Sequence, residues 1–359
     1  MTHNFSAGPA MLPAPVLKKA QKELLDWQGR GVSVMEISHR SPAYIAMAEQ
    51  AEQDLRDLMS IPDNYAVLFM HGGGRSQFSA VPQNIAGADA TVDYLDTGNW
   101  SQIAEKEAAK YVARVNRVAS VTDSEQGKMI PPQASWNLTP GAAYLHYCPN
   151  ETVDGIALHE IPEVSAPLVA DMSSVILAES LDVSKFGVIY AGAQKNIGPS
   201  GFAVVIVRRD LLATQQNSVC TVMNYQVQDT EKSMYNTPNT FAWYLAGEVF
   251  KWIKAEGGVQ VMQARNHAKA KLLYECIDNN PFYKNQIHPQ NRSIMNVPFQ
   301  LLKPELDNEF LKQAEQRGLM ALKGHRFVGG MRASMYNAMP LEGTRALVDF
   351  MTEFARTHK

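Results

Sequence analysis

Cysteine is scarce in this chain. Cys148, Cys220 and Cys276 are the three in 359 residues, far apart, odd in number and without C-x-x-C spacing. That usage argues against a disulfide framework or a zinc site and for a reducing compartment, so no metal is expected. Long apolar runs are missing as well: none approaches membrane-spanning length, and MTHNFSAGPAMLP at the start has no basic segment followed by an apolar core. The expectation is a cytoplasmic protein without a membrane partner. Nor is there a surplus of one charge. The net charge is −3 and the basic residues are scattered, which leaves no global footprint for nucleic acid and makes any anion binding local. Several nucleotide and metal signatures are absent, namely G-x-x-x-x-G-K-[ST], H-E-x-x-H and G-x-G-x-x-G. HGGG is present at residues 71–74, but as an oxyanion hole it needs a G-x-S-x-G elbow, and Gly198-Pro199-Ser200-Gly201 has the wrong spacing.

With 45% apolar and 19% charged residues, the chain can bury two proper cores. Strand-like and helix-like segments alternate through roughly the first 260 residues, as in an α/β domain with its ligand site at the strand ends. Residues 66–70 and 142–148 read as buried strands. Phe241, Tyr244, Leu245, Val249, Trp252 and Ile253 recur at helical spacing over 240–256, and Gly257-Gly258 is a plausible stop. Beyond it, a helix over 306–317, ended by Gly318, lies between strand-like 295–299 and 331–335, which predicts a small α+β domain. The expected division is a large domain of residues 16–258 and a small one of residues 1–15 with 259–359.

Chemistry concentrates in FGVIYAGAQKNIGPSGFAVVIV, residues 186–207, where two apolar runs flank a glycine-punctuated turn carrying Lys195. A buried strand that delivers a lysine into a crowded place lowers its pKa and frees the amine for Schiff-base chemistry. A second apolar run, Pro167-Leu168-Val169-Ala170, ends in Asp171 with Ser173 and Ser174 beyond it. An amine for an aldehyde and an acid for a ring nitrogen are what a pyridoxal phosphate (PLP) site needs, although a surface ion pair reads equally well from these residues. His71-Gly72-Gly73-Gly74-Arg75 follows a buried strand and opens a helix, where glycine amides and a helix N-terminus suit a phosphate. Pro82 makes that helix kinked or short. Trp100 sits in the polar turn Thr97-Gly98-Asn99-Trp100-Ser101, where its indole can stack on a pyridine ring or pack under a loop. Thr152 lies just past a strand end, able to donate to a ring phenolate or to act as a simple turn hydroxyl.

These segments, together with Asn4-Phe5-Ser6-Ala7-Gly8-Pro9-Ala10, Ser38-His39-Arg40-Ser41, Asn150-Glu151-Thr152-Val153-Asp154-Gly155, Tyr235-Asn236-Thr237-Pro238 and the run 324–334, follow one order along almost the whole chain. In that order the chain resembles the phosphoserine aminotransferases, a class V family of PLP-dependent enzymes. It departs from the commoner pattern where Asn239 follows Pro238. The resemblance implies the α/β PLP-dependent transferase fold, with a mixed, mostly parallel sheet in the large domain and an α+β C-terminal domain. It implies that Lys195 carries PLP, Asp171 pairs with the ring nitrogen, Trp100 stacks on the ring and Thr152 binds its phenolate side. Gly74, Arg75 and Gln194 would hold the phosphate, with Asn236 and Thr237 reaching in from the second subunit of a homodimer. Arg332 is the expected carboxylate clamp, and His39, Arg40, Arg75, His325 and Arg326 are expected to bind the substrate phosphate or the side-chain carboxylate of glutamate. The implied reaction is transamination between L-glutamate and 3-phosphohydroxypyruvate, giving O-phospho-L-serine and 2-oxoglutarate, with 4-phosphohydroxy-threonine as a possible second substrate. The competing readings are another class V aminotransferase, a cysteine desulfurase, or a non-catalytic binder of phosphate ligands.

Overall fold

The structure, a computed structural model, describes residues 2–212 and 219–358. Met1 and Lys359, at the ends of the expected small domain, and residues 213–218 of the large one lie outside it. Seven strands form the main sheet, in the spatial order Tyr65–His71, Phe202–Arg208, Val188–Gly192, Leu168–Asp171, Leu145–Tyr147, Thr91–Asp96, Arg114–Ser120. Phe202–Arg208 is antiparallel to both neighbours, and every other pairing is parallel. The sheet is therefore mixed and mostly parallel, as expected.

Side chains of a strand alternate between the two faces, and both faces here are apolar. Val67, Phe69, Ile189, Val204 and Ile206 enter one core cluster; Leu68, Met70, Val188, Val205 and Val207 enter another on the opposite face. The first cluster also takes the Thr240–Ala255 helix, whose start is capped by Asn239: its Oδ1 accepts from the Ala242 amide at 3.1 Å. The residue at which the chain departs from the commoner family pattern thus has a structural task.

Two expectations are modified. Of residues 142–148, Leu145–Tyr147 forms the strand; Ala142 closes a turn on Thr139, while the Ala143 amide donates to Thr91 O and Tyr144 O accepts from the Asp93 amide, both at 2.9 Å, so bonding to Thr91–Asp96 begins two residues earlier. The helix after the glycine loop runs from Gly74 to Ile85 and continues three residues beyond Pro82. A proline removes only one amide donor, and packing of Phe78, Val81 and Ile85 into the core offsets that loss.

A third cluster gathers Phe5 with residues from Ala270 to Ala355, around the antiparallel strands Tyr283–Lys284, Asn296–Leu301 and Met331–Ser334 and the helices Val259–Asp278, Asp307–Gln316 and Leu341–Thr357. The N-terminal strand His3–Asn4 pairs in parallel with Leu319–Met320. The two parts meet closely at Gly155, which has φ +70° and would place a Cβ 2.1 Å from Pro298 Cδ and 2.8 Å from Asn296 O. Gly155→Ala is expected to lose on the order of 2–4 kcal/mol by urea unfolding, from overpacking plus left-handed backbone strain; an unchanged midpoint would contradict this close approach.

Candidate active site

Six of the seven strands run the same way, so their C-terminal ends share one edge of the sheet, where five of them serve the site. Each delivers one element of the site. His71 leads into Gly74 and Arg75, Asp96 into Trp100, Tyr147 into Thr152, and Gly192 into Gln194 and Lys195, while Asp171 is itself the last residue of its strand. All seven residues line one cavity of about 410 Å³, within the ~300–1,000 Å³ usual for small-molecule sites.

Lys195 is 9% exposed. Its Nζ donates to Thr152 Oγ1 at 2.6 Å. Burial lowers its pKa to about 8, against the opposing pull of Asp171 and Glu151. Asp171 is buried too, and burial raises its pKa, while bonds from Ser173 and the charge of Lys195 act the other way. Its Oδ1 accepts from the Ser173 amide at 3.0 Å and Ser173 Oγ at 2.6 Å. Both bonds fall on one oxygen, so the carboxylate is oriented while Oδ2 is left for a further donor.

The Gly74–Ile85 helix also begins at the cavity wall, and helix-start amides lack intrahelical acceptors. A Cβ on Gly74 would lie 3.0 Å from Ser173 Oγ, whose oxygen also accepts from the Gly192 amide at 2.9 Å. The missing side chain lets these backbones meet. Trp100 belongs to the first turn of the helix Asn99–Ala108, where the sequence suggested only a polar turn. Its indole is half-buried, with Arg75 over the ring at 5.2 Å, and its Nε1 is a buried donor without a partner.

A pyridoxal phosphate fits this set of groups. The cavity holds a buried amine for an aldehyde, a carboxylate with one uncommitted oxygen for a pyridinium, an indole face for the ring and a helix start for a phosphate. His325 and Arg332 share the same wall, and Arg332 donates from Nη1 to Thr152 O at 3.2 Å. His39, Arg40, Arg326, Asn236 and Thr237 are not on that wall within one chain. Arg40, Asn236 and Thr237 are exposed, and the Arg326 guanidinium lies 4.7 Å from the centre of the Phe327 ring. The residue reading missed Cys148, which lines the cavity with its thiol held well above the usual pKa by burial, and Glu151, buried just behind it. Position in Asn150-Glu151-Thr152 was the only available signal for Glu151.

The lowered pKa sets a pH dependence. Only the neutral amine attacks an aldehyde, and with a pKa of about 8 its fraction rises about tenfold between roughly pH 7 and pH 9. The rate at which Lys195 captures the aldehyde of PLP added to apo-protein, followed by absorbance, is expected to rise accordingly and then level off. A rate still climbing steeply above pH 10 would show an ordinary, solvated lysine.

Comparison with known proteins agrees with this geometry. The family model Aminotransferase class-V matches residues 2–347. The phosphoserine aminotransferase of Idiomarina loihiensis is 65% identical over 353 residues, covering 98% of each chain. Among solved structures, PLP-bound phosphoserine aminotransferase from Trichomonas vaginalis has a TM-score of 0.93 at 42% identity, covering 98% of this chain and 100% of that one. The enzyme from Bacillus circulans subsp. alkalophilus has 0.95 at 43% identity, covering 100% and 99%. The chain belongs to the class V aminotransferases, enzymes dependent on pyridoxal phosphate, and within that family to the phosphoserine aminotransferase group.

Proposed function

We propose that the chain transfers the amino group of L-glutamate to 3-phosphohydroxypyruvate, giving O-phospho-L-serine and 2-oxoglutarate, a step of serine biosynthesis. The observation that carries this reading is one cavity in which Lys195, Asp171, Trp100 and Thr152 converge with the cations Arg75, His325 and Arg332. When bound there, PLP supplies an aldehyde for an amine and a ring that accepts the electrons left when a proton leaves the substrate carbon.

Lys195 is the proton carrier. Its Nζ, with a pKa of about 8, takes the α-proton from the amino acid and returns one, a task best done by a group titrating near working pH. Thr152 Oγ1 accepts from that nitrogen at 2.6 Å and so positions the amine when it is free. Asp171, locked by Ser173, is the partner for the ring nitrogen, and a cationic donor opposite it favours its ionised form against the burial that opposes it. Arg332 clamps the substrate carboxylate: its planar fork suits bidentate binding, and its bond to Thr152 O fixes the clamp relative to the hydroxyl that holds Lys195. Gly74, Arg75 and Gln194 hold the cofactor phosphate. His39, Arg40, Arg75, His325 and Arg326 provide the positive surface for the substrate phosphate or for glutamate's second carboxylate. Asn236 and Thr237, exposed in one chain, complete the phosphate site of a neighbouring subunit in a homodimer. The same positive pocket suits 4-phosphohydroxy-threonine, and we read the enzyme as cytoplasmic; among the described residues no helix is long and apolar enough to cross a membrane.

We divide the chain into residues 16–258 and residues 1–15 with 259–359, a division supported by the core that collects Phe5 with residues 270–355, to which the large part contributes Ala178. A desulfurase reading is disfavoured by Cys148: a thiol sealed in the cavity wall and held protonated by burial is not a mobile nucleophile.

Lys195→Ala is expected to lower kcat by about 10²–10⁴-fold or more in an assay of O-phospho-L-serine with 2-oxoglutarate, with the circular dichroism of the fold retained; near-normal turnover would sink the assignment. Arg332→Gln is expected to cut kcat/KM about 10–100-fold for glutamate and phosphoserine alike, from the ~1.5–3 kcal/mol of a hydrogen bond to a charged group. A loss confined to phosphoserine would instead place Arg332 at the distal phosphate.

A further inference from the structure

The helix that carries Trp100 supplies only part of its own cap: Ser101 Oγ accepts from the Thr97 and Gly98 amides at 2.9 and 3.0 Å, which leaves the amides of Asn99, Trp100 and Ser101 to find acceptors elsewhere. Helix starts leave their first amides without acceptors, and the residue before this helix is Gly98, which has no side chain to offer. The acceptors come from the strand-end turn about fifty residues further along the chain. Glu151 Oε2 accepts from the Trp100 amide at 2.9 Å and Oε1 from the Ser101 amide at 2.8 Å. Asp154 Oδ2 accepts from the Asn99 amide at 3.2 Å. Gly98 is what allows the approach: with φ +150°, a Cβ there would lie 2.7 Å from Asp154 Oδ2 and 2.9 Å from Glu151 Cγ. Glu151 is fully buried, so its two carboxylate oxygens are committed to this helix in a place with little water to replace the bonds.

Two more observations give the cap a role beyond stability. The indole Nε1 of Trp100 is buried and makes no hydrogen bond, so the ring's place is set by its backbone and by packing. Glu151 is also peptide-bonded to Thr152, which receives Lys195 Nζ. A single turn therefore grips the helix of the stacking residue with one residue and the reactive amine with the next.

We propose that Glu151 is a positioning residue that locks the first turn of the Asn99–Ala108 helix to the Thr152 turn and so holds the Trp100 indole at a set distance from Lys195 for stacking on the cofactor ring. This rests on the stacking role given to Trp100 above. Glu151→Gln keeps the shape but turns one acceptor oxygen into an NH2 that faces an amide N–H. Burial and the nearby Asp154 carboxylate push the Glu151 pKa up to about 7, while the Ser101 and Trp100 amides pull it down, so the ionised form that accepts both amides is sustained by the helix start itself.

The test is a double-mutant cycle on apo-protein titrated with PLP, reading the dissociation constant by quenching of tryptophan fluorescence and, for variants lacking Trp100, by absorbance, with the visible circular dichroism of the bound cofactor recorded alongside. Glu151→Gln is expected to weaken PLP binding about tenfold, ~1.4 kcal/mol, and to diminish the dichroic band. In a Trp100→Ala background the same change is expected to add less than about twofold. Equal weakening in both backgrounds would overturn the proposal, since Glu151 would then act through the charge of Lys195 or through stability alone. Wild-type affinity in Glu151→Gln would overturn it as well. Wild-type affinity in Trp100→Ala alone would remove the stacking role, and the proposal with it, which separates the two failures. If Glu151→Gln does not fold, Glu151→Asp, one methylene too short to reach both amides, enters the same cycle with the same expectations.

Discussion

Placing a lysine amine out of water is costly unless other groups offset the lost hydration, and the architecture at the edge of this sheet is organised around that constraint. The amine of Lys195 keeps one short bond to Thr152 and the field of two buried carboxylates, Asp171 and Glu151. Burial still dominates and leaves an amine that is neutral for a useful fraction of the time near neutral pH. Strand direction makes this possible. Parallel strands bring Thr152, Asp171 and Lys195 to one edge, and an antiparallel strand, Phe202–Arg208, returns the chain between Tyr65–His71 and Val188–Gly192 without lining the cavity.

The core around Phe5 and the Met331–Ser334 strand reaches the same place through a chain of buried polar side chains. Asn150 Nδ2 donates to Ser174 Oγ at 2.9 Å and to Asn296 Oδ1 at 2.8 Å. Asn296 Nδ2 donates in turn to Ser334 Oγ and to Tyr336 Oη, and the Tyr336 hydroxyl donates to Ala7 O. Asn337 and Asn196 add a second link beside Lys195. Lys269, buried with its pKa lowered to about 7, holds this segment by donating to three carbonyls, Met335, Tyr336 and Met339. Hydrogen bonds are directional where apolar packing is not, so such a network sets the place of Arg332, which lies on the strand ending at Ser334, more sharply than contact between apolar cores would.

The residues that sequence patterning found are those whose surroundings are local. Lys195 and Asp171 stood out because each ends or follows a short apolar run, and Gly74 because glycine amides at a helix start suit a phosphate. Trp100 was legible as a candidate, but its helix was not: the residue before it is glycine, and the acceptors that permit a helix to start there lie on a turn distant in sequence. Glu151 was invisible for the same reason seen from the other side, since a glutamate in a polar turn looks solvated until the fold buries it. Cys148 had looked like an incidental strand residue, and only the cavity gives it a neighbour in Lys195. The residues expected to bind phosphate and carboxylate groups divide similarly. His325 and Arg332 come to the wall within one chain, whereas His39, Arg40, Arg326, Asn236 and Thr237 do not.

By itself the sequence determined the residue types capable of this chemistry, their order along the chain and the alternation of strands and helices, because those depend on neighbours a few positions away. The tertiary structure decided which oxygen of Asp171 is committed, how far the Lys195 amine is desolvated, and that a buried carboxylate behind the cavity holds the helix of Trp100. Desolvation and hydrogen-bond partnership arise from groups tens to hundreds of residues apart, and a distance in space between such groups is not written in any one stretch of chain.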